Sequence, residues 1–441
     1  MGKSFRLKKG FDIQLVGEAA KEIQEIPASE IFAVKPPDYL GVTPKLTVKV
    51  GSEVLVGDSL FYDKKRPDIN FPSPVSGEVV EIVRGAKRVV LEIRILADKE
   101  QKSSSVSLPS DLTPSSIKEA ILKGNLWSVF KQRPFAKIAS PEDQPKAIFV
   151  STFNSAPLAP DLDFVISQDQ AGFDKGLEVL NILSEGKLNI GKHAESSLSV
   201  NVGDVHTFSG PHPAGNVGVQ IHHISPVRPG DLVWHLDAQD VILLGKFFTD
   251  GQYHPERIIA LTGSEVKDPK YLKLKIGQSL KPVFEGISDE DVRYIQGNVL
   301  TGDTSHAEDF LSFYISQLTV IPEGAHSEFL GWLLPSTSKL SLSRTFFSWL
   351  MPKKKYDLDT NTHGEERAFV VSGQYEKVLP MNIMPVQLLK SIMAKDIERM
   401  EALGIHELAE EDLALCEFVC TSKIDVQQIL REGLDLLEEE G

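Results

Sequence analysis

The sequence predicts a multidomain α/β protein, and three patterns support that prediction. Short apolar segments separated by glycine turns fill residues 41–95, and strands alternate with an amphipathic helix from residue 147 onward. Near the C-terminus, apolar side chains recur at helical spacing. Because a chain of 441 residues is longer than one ordinary core, we expect two to four domains.

The composition narrows the class of protein. A hydrophobic content of 41% and a charged content of 25% are typical of a globular protein, and a formal net charge of -15 argues against a nucleic-acid partner. Two cysteines are too few for a disulfide framework and suit the cytosol. We expect no signal peptide and no membrane span, so other chains would have to hold this protein at a membrane.

The N-terminal strands resemble the biotinyl/lipoyl-carrier fold, in which a lysine at a hairpin tip takes the prosthetic group. Lys64 or Lys65 would be that lysine, and a carrier-domain enzyme is therefore one alternative. However, Asp63 and Arg66 flank the pair, and the distance along the chain to Pro72 exceeds that of a carrier hairpin. Solvated turn lysines are the favoured interpretation.

A serine-rich linker is predicted over residues 101–115, and a mixed aromatic and cationic segment follows it. Trp127, Arg133, Phe135 and Lys137 lie close together in this segment. Such a group could bind a ring-bearing ligand by stacking and cation–π contact. The alternative, which burial statistics favour, is that the two rings pack in the core and the two cations are solvated.

The alternating region predicts a Rossmann-like domain. Residues 147–152 and 163–167 are apolar and predict buried strands, and residues 170–186 predict an amphipathic helix that ends before Gly186. Its apolar side carries Phe173, Leu177, Leu180 and Leu183. The order strand, helix, strand indicates a partly parallel sheet.

The loop F-S-G-P-H-P-A-G-N-V-G-V-Q-I-H-H-I-S-P-V, residues 208–227, would lie near the ligand-binding edge of that sheet. Gly210 and Gly215 have P-loop spacing, but Asn216 and Val217 occupy the positions that need Lys and Ser or Thr. The dinucleotide pattern G-x-G-x-x-G is also absent. We therefore expect a vestigial ligand loop, kept for shape and for contact with other subunits.

The histidines of this region do not predict a metal site. Adjacent His222 and His223 would point to opposite faces of a strand, and no cysteine or carboxylate pattern completes a ligand set. Structural or partner-contact histidines are the favoured interpretation. The residues assigned to the loop's contacts are Gly210, His212, Gly215, Gly218, His222 and His223.

The last two parts of the chain differ in pattern. Leu272, Leu274 and Ile276 alternate with lysines, so residues 256–330 predict a small mixed domain. Residues 385–404 predict a helix that stops at Gly404. The two cysteines, Cys416 and Cys420, are too few for an iron–sulfur cluster and are expected to be buried on a helix.

One C-terminal segment has two interpretations. Residues 344–355, R-T-F-F-S-W-L-M-P-K-K-K, combine an aromatic run with three lysines. Such a segment could contact a membrane surface or a partner. A buried strand followed by a charged turn explains the pattern equally well.

Several segments then point to one family: Y-D-K-K-R-P, F-P-S-P-V-S-G, the loop at 208–227, I-I-A-L-T-G-S-E-V-K-D-P, V-I-P-E-G and V-S-G-Q-Y-E-K-V-L-P-M-N-I-M-P. Together they resemble the alpha subunit of the Na⁺-translocating NADH:quinone reductases (Na⁺-NQR). The loop is the most specific of them, followed by E-E-D-L-A-L-C-E-F-V-C. The resemblance covers almost the whole chain and extends to the NADH-binding flavoprotein of complex I and the C subunit of the Rnf complex.

The resemblance implies a fold in four parts. These are a β barrel-sandwich hybrid domain at 1–100, a Rossmann-like α/β domain at 101–255, a β-grasp domain that binds soluble ligands at 256–330, and a helical domain at 331–441.

The resemblance also implies a function: a cytoplasmic, peripheral member of a complex that oxidises NADH, reduces ubiquinone and exports Na⁺. The chain would act at the quinone-reducing end, where ubisemiquinone becomes ubiquinol. FMN, FAD, riboflavin and Fe–S clusters would lie on partner subunits, because this chain lacks the glycine-rich loop and the cluster cysteines. If the chain holds ubiquinone, the segment around Phe135 is the candidate contact. An Rnf-type electron-transfer protein is the other alternative.

Overall fold

The computed structural model describes residues 2–287, 290–325, 330–331 and 334–440. The N-terminal part is made of strands, as its glycine-punctuated sequence predicts. They are β1 (Ser4–Arg6), β2 (Ala20–Glu25), β3 (Ile31–Val34), β4 (Pro44–Leu46), β5 (Glu53–Val54), β6 (Ser59–Asp63), β7 (Arg66–Pro72), β8 (Gly77–Arg84) and β9 (Val90–Ala97).

Two small sheets of this part enclose an apolar core. Among the described residues, one sheet has the order β3-β9-β8-β5 and the other β4-β6-β7. Phe61 and Phe71 stack with ring centres 4.4 Å apart, and Tyr39 packs 4.3 Å from the Phe71 ring. The barrel-sandwich prediction is confirmed. Lys64 and Lys65 form the exposed turn between β6 and β7.

The second part alternates strands and helices. Its elements are α1 (Pro114–Lys123), β10 (Lys131–Arg133), β11 (Ile148–Ser151), α2 (Leu162–Ser167), α3 (Gln170–Leu183), β12 (Leu188–His193), β13 (Asp204–Ser209), α4 (Val217–Ile224), β14 (Val233–Asp237) and α5 (Ala238–Asp250). Within the described chain, the sheet order is β1-β13-β12-β11-β14-β10, parallel except for β10. The Rossmann-like α/β prediction is confirmed.

Helices α3 and α5 cross at glycines. A Cβ on Gly245 would lie 1.8 Å from the carbonyl oxygen of Gly172, and one on Gly176 would lie 2.1 Å from that of Val241. The two backbones therefore touch, which only glycine permits. The predicted apolar side of α3 is buried as expected.

The strand predicted at 163–167 is wrong, because these residues belong to α2. Asp161 caps this helix by accepting a hydrogen bond from the backbone N–H of Phe164 at 3.0 Å. A short apolar run does not distinguish a strand from a helix by periodicity, and the cap decides here.

The third part is a mixed sheet. Its elements are β15 (Glu256–Thr262), β16 (Lys270–Lys275), α6 (Lys281–Phe284), β17 (Val292–Gln296), β18 (Asp303–Ser305) and β19 (Gln317–Pro322). The order within the described residues is β18-β17-β19-β15-β16-β2. Leu272 and Leu274 are buried while Lys273 is exposed, as predicted. Strand β1 thus belongs to the sheet of the second part, and β2 belongs to the sheet of the third part. The boundaries of the four domains remain a prediction.

The C-terminal part is helical, with α7 (Tyr375–Val378), α8 (Pro385–Met393), α9 (Ile397–Ala402), α10 (Glu410–Phe418) and α11 (Val426–Glu440). The single helix predicted at 385–404 is two helices. Lys395 has φ +56° between them, and Asp396 caps the second. Gly404, with φ +87°, ends it as predicted.

The aromatic run at 344–355 is not a buried strand. A short 3₁₀ turn covers Phe347–Leu350, and Phe347, Trp349 and Leu350 are 42%, 51% and 59% exposed. The strand interpretation of this segment is therefore wrong.

Candidate functional site

A cavity of about 550 Å³ lies where β10, the start of α10 and one side of α11 meet, and we call it the Arg133 cleft. Its walls come from all four parts of the chain. They are Asp38, Leu40, Lys131, Arg133, Ala136, Ile138, His235, Thr301, Asp303, Tyr314, Ala409, Glu410, Glu411, Gln427, Gln428 and Arg431. A concave site at such a junction, with polar groups converging on it, is the usual place for a ligand.

Arg133 connects β10 to α10. Its side chain is 1% exposed; Nη2 donates to Oε1 of Glu411 at 2.8 Å, and Nη1 lies 3.1 Å from Oδ2 of Asp412. Asp412 is fully buried. Because a buried charge is tolerated only when it is paired, these contacts hold the wall of the cleft together.

Arg431 forms the opposite part of the wall. It binds both carboxylate oxygens of Glu410, at 2.5 and 3.0 Å, and its Nη2 donates to the backbone oxygen of Phe135 at 3.0 Å. A bidentate pair of this kind fixes the guanidinium plane. The residues after β10 are therefore attached to α10 and α11.

The cleft contains groups suited to proton transfer. Burial raises the pKa of Glu411 to about 7, even though Arg133 lowers it, and 43% of the side chain is exposed to solvent. Burial also holds the pKa of His235 well below its usual value, with Arg133 and Lys131 adding to that effect. At neutral pH, His235 is therefore uncharged and Glu411 is partly protonated.

Unused hydrogen-bonding capacity remains at this site. Among the described residues, Nε of Arg133 and Nε2 of His235 are buried and have no hydrogen-bond partner. The Lys131 ammonium lies 3.8 Å from the ring centre of Tyr314, whose hydroxyl donates to the backbone oxygen of Ser128. The two unpartnered nitrogens line the cleft and can therefore bond a polar group that enters it.

The four residues assigned to a quinone contact are not all in one place. Arg133 lines the cleft, whereas Trp127 is fully buried, donates Nε1–H to the backbone oxygen of Ala139, and packs in the core. Phe135 has φ +79° and packs against the C-terminal helices, while Lys137 pairs with Glu438. The cation–aromatic pair that lines the cavity is Lys131 with Tyr314.

The loop at 208–227 adopts a different structure from the one predicted for its histidines. His222 and His223 would point to opposite faces on a strand, but both lie on the helix α4. His222 binds Glu407 through Nδ1 at 2.8 Å, and His223 donates Nε2–H to the backbone oxygen of Pro380 at 2.8 Å. Both side chains are therefore held by the C-terminal part of the same chain.

The first half of the loop packs on the carboxyl edge of the parallel strands. Burial lowers the pKa of His212 to about 4, and its Nδ1 is hydrogen-bonded to the Ser155 hydroxyl at 3.1 Å. That hydroxyl in turn accepts from the backbone N–H of Gly215 at 2.8 Å. Gly210 is exposed at the start of the loop. The chain itself thus fills the edge where related sheets bind nucleotides.

The loop also supports the Arg133 cleft. A Cβ on Gly218 would lie 2.3 Å from Oδ2 of Asp412, so glycine makes room for this carboxylate at the start of α4. The side-chain amide of Asn216 donates to the backbone oxygen of Glu411 at 2.9 Å. The shape-keeping role predicted for the loop thus has a structural counterpart, while its contact with other subunits remains a prediction.

The sequence patterns did not predict three of the residues that line the cleft. Glu411, Arg431 and Tyr314 carry no local motif, and Glu411 lies 278 positions from Arg133. The one available signal was E-E-D at 410–412, which lies in a segment specific to the family resemblance.

Neither a metal-binding cluster nor a membrane-spanning helix is present in the described part of the chain. No group of three or more His, Cys, Asp or Glu residues there could hold a metal ion. Cys416 and Cys420 are buried, and the Tyr375 hydroxyl donates to Sγ of Cys420 at 2.9 Å. No described helix has both the length and the apolar character that crossing a bilayer requires.

Fold and site together define a class: a multidomain α/β protein whose Rossmann-like edge is filled by its own residues and whose open site is a polar cleft between its parts. Comparison with known families agrees. Family models described as the NqrA N-terminal barrel-sandwich hybrid domain, the NqrA second alpha/beta domain and the NQRA C-terminal domain match residues 5–98, 112–253 and 258–307.

Curated relatives make the assignment specific. The NqrA protein of the Na⁺-translocating NADH-quinone reductase from Rhodopirellula baltica is 37% identical over 99% of this chain and 98% of its own length. Its counterpart from Vibrio parahaemolyticus is 38% identical, covering 99% of each chain. The chain belongs to this NqrA family, the alpha subunits of Na⁺-translocating NADH-quinone reductases. A solved NAD⁺-reducing [NiFe]-hydrogenase is similar only at a TM-score of 0.37, with 11% identity over 74% of this chain and 66% of that one.

Proposed function

We propose that this chain is a peripheral subunit on the cytoplasmic face of the bacterial inner membrane, in a complex that oxidises NADH, reduces ubiquinone and exports Na⁺. The names of its full-length relatives support membership of that complex. FMN, FAD, riboflavin and Fe–S centres belong on partner subunits. Purification of the tagged chain from native membranes tests this proposal: flavin-bearing membrane subunits should accompany it, and recovery of the chain alone would contradict it.

Within that complex, we assign the chain to the quinone-reducing end and the Arg133 cleft to the ubiquinone head group. The observation that carries this assignment is the set of donors around one cavity. Quinone oxygens only accept hydrogen bonds, while Lys131 and Arg431 only donate them. The Tyr314 ring adds an aromatic contact for a planar head group.

The proton balance of quinone reduction fits the same cleft. Conversion of ubiquinone to ubiquinol consumes electrons and protons in equal number, and the electrons would come from a flavin on another chain of the complex. Glu411, with a pKa of about 7, can release and rebind a proton near neutral pH. We assign it the role of proton donor at the cleft.

Calorimetric titration with a short-chain ubiquinone analogue tests the cleft. Lys131→Met should weaken binding about 10-fold or more, because a hydrogen bond from a charged donor is worth about 1.5–3 kcal/mol. Phe135→Ala should weaken it about 2- to 10-fold, because Phe135 positions the segment that Arg431 holds at the cleft wall.

Two variants away from the cleft serve as matched controls. Lys146→Met removes a lysine that pairs with Asp231 at the surface, and Phe164→Ala removes a partly buried ring that packs on Tyr271. Both should titrate like the wild type. Unchanged affinity in Lys131→Met and Phe135→Ala, or no binding by the wild type, would rule out the cleft as the quinone site.

A further inference from the structure

One segment of this acidic chain is purely cationic. Residues 329–356 contain no Asp or Glu, whereas the whole chain has a formal net charge of -15. Their five charged residues are Lys339, Arg344, Lys353, Lys354 and Lys355. A run of positively charged residues in a negatively charged chain indicates a surface that binds a negatively charged partner.

The same segment presents large apolar side chains to solvent. Phe347, Trp349 and Leu350, which we call the apolar tip, are 42%, 51% and 59% exposed, and Lys353 to Lys355 follow two residues after Leu350. The Arg344 guanidinium lies 5.6 Å from the Trp349 ring centre. Aromatic and aliphatic side chains next to lysines have the composition of an interfacial anchor.

The tip is held by structure beneath it. The backbone N–H of Phe346 donates to the Ser341 hydroxyl at 3.0 Å, and Nζ of Lys354 donates to the backbone oxygen of Thr337 at 2.7 Å. Tyr356 is buried, and its N–H donates to the backbone oxygen of Gln14 at 2.8 Å. The exposed side chains therefore belong to an ordered turn.

Two other pairs of exposed apolar side chains have acidic neighbours. Ile31 and Leu96 lie opposite each other on neighbouring strands, with Glu30 and Glu78 beside them. Val370 and Val371 are 55% and 63% exposed, and Glu365 and Glu366 precede them closely in the chain. The segment around the apolar tip instead combines exposed apolar side chains with Lys353 and Lys354, while Lys355 pairs with Glu18 at 2.7 Å.

We propose that the apolar tip, with Lys353 and Lys354, docks onto an anionic phospholipid surface, with the tip inserted among the head groups. Anionic lipids attract lysines, and Trp, Phe and Leu gain by leaving water. Lipid fits better than the cytoplasmic loops of a membrane protein, because those loops are themselves rich in Lys and Arg and would repel this segment. The inference rests on the proposed location at the membrane, but not on quinone binding.

Vesicle flotation of the purified full-length chain tests the proposal. We expect the chain to float with phosphatidylcholine vesicles that contain about 30 mol% phosphatidylglycerol, and far less with phosphatidylcholine alone. Lys353→Gln/Lys354→Gln should lower the partition coefficient about 25-fold, since each lysine near an anionic surface contributes about fivefold. Trp349→Ser/Leu350→Ser should lower it at least about 10-fold.

Val370→Ser/Val371→Ser is the matched control, because it removes similar exposed apolar area outside the cationic segment, and it should partition like the wild type. Unchanged thermal unfolding would show that the variants fold.

Two results would overturn the proposal: equal partition of the wild type, the lysine variant and the tip variant, or no flotation of the wild type. If the tip variants lose co-purification with membrane subunits but vesicle binding is absent, the segment contacts protein instead. Calorimetric titration with the ubiquinone analogue should be unchanged in all these variants, which separates this proposal from the quinone assignment.

Discussion

Arg257→Leu is expected to destabilise the protein by about 3–5 kcal/mol, because it leaves the carboxylate of Asp240 buried without a partner. Arg257 lies on β15 and Asp240 in the first turn of α5, and they are 4% and 1% exposed as an ion pair. The Arg257 guanidinium also lies 5.4 Å from the Phe313 ring centre. The pair thus joins the Rossmann-like part to the third sheet.

Native-state hydrogen exchange of the β15 amides, supported by urea unfolding, measures this effect. The double variant Asp240→Leu/Arg257→Leu should recover most of the loss, because replacing both charges removes the unpaired group. Lys246→Leu, on the same helix but 32% exposed, should cost no more than about 1 kcal/mol. A double variant as unstable as Arg257→Leu would refute this account.

Arg133→Met is expected to lower the free energy of unfolding by a similar amount, and this loss should depend on pH. It leaves Asp412 fully buried and Glu411 in the cleft without their cation, so a loss of about 3–5 kcal/mol near neutral pH follows. Burial already raises the pKa of both carboxyls, and removal of Arg133 raises it further.

The sign of the pH dependence follows from those raised pKa values. A carboxyl with a higher pKa in the folded state stabilises it at low pH, and that contribution is lost as the pH rises through the folded-state value. The deficit of Arg133→Met should therefore shrink as the pH falls from the pKa that each carboxyl has in the variant to the lower pKa that it has in the wild type, by up to about 1.4 kcal/mol per pH unit for each carboxyl. For Glu411 this range lies above pH 7. Urea unfolding at several pH values measures it.

Arg94→Met provides the contrast for this experiment. Arg94 pairs with Glu81 and Glu92 while 34% exposed, so its loss should cost about 1 kcal/mol or less and show little pH trend. A pH-independent deficit in Arg133→Met would contradict the assignment of the buried carboxyls.

Local sequence patterns were sufficient to predict the helices and strands that follow from the spacing of their own apolar residues. The helix α3 follows from its apolar period and ends before Gly186, and β16 follows from the alternation of Leu272 and Leu274 with lysines. The family was identified from motifs spread along the chain, and relatives over 99% of its length confirm it. Periodicity alone misassigned 163–167, where the Asp161 cap was the local signal that decided for a helix.

The tertiary structure alone decided the site and the roles of its charges. Arg133 and Glu411 are 278 positions apart, and Asp240 and Arg257 pair only because α5 packs on β15. No local pattern marks such partners, since each is an ordinary polar residue until burial removes it from water. The sequence by itself determined the family, the fold class and most elements; packing determined which charges are buried together, because that depends on contacts between distant segments.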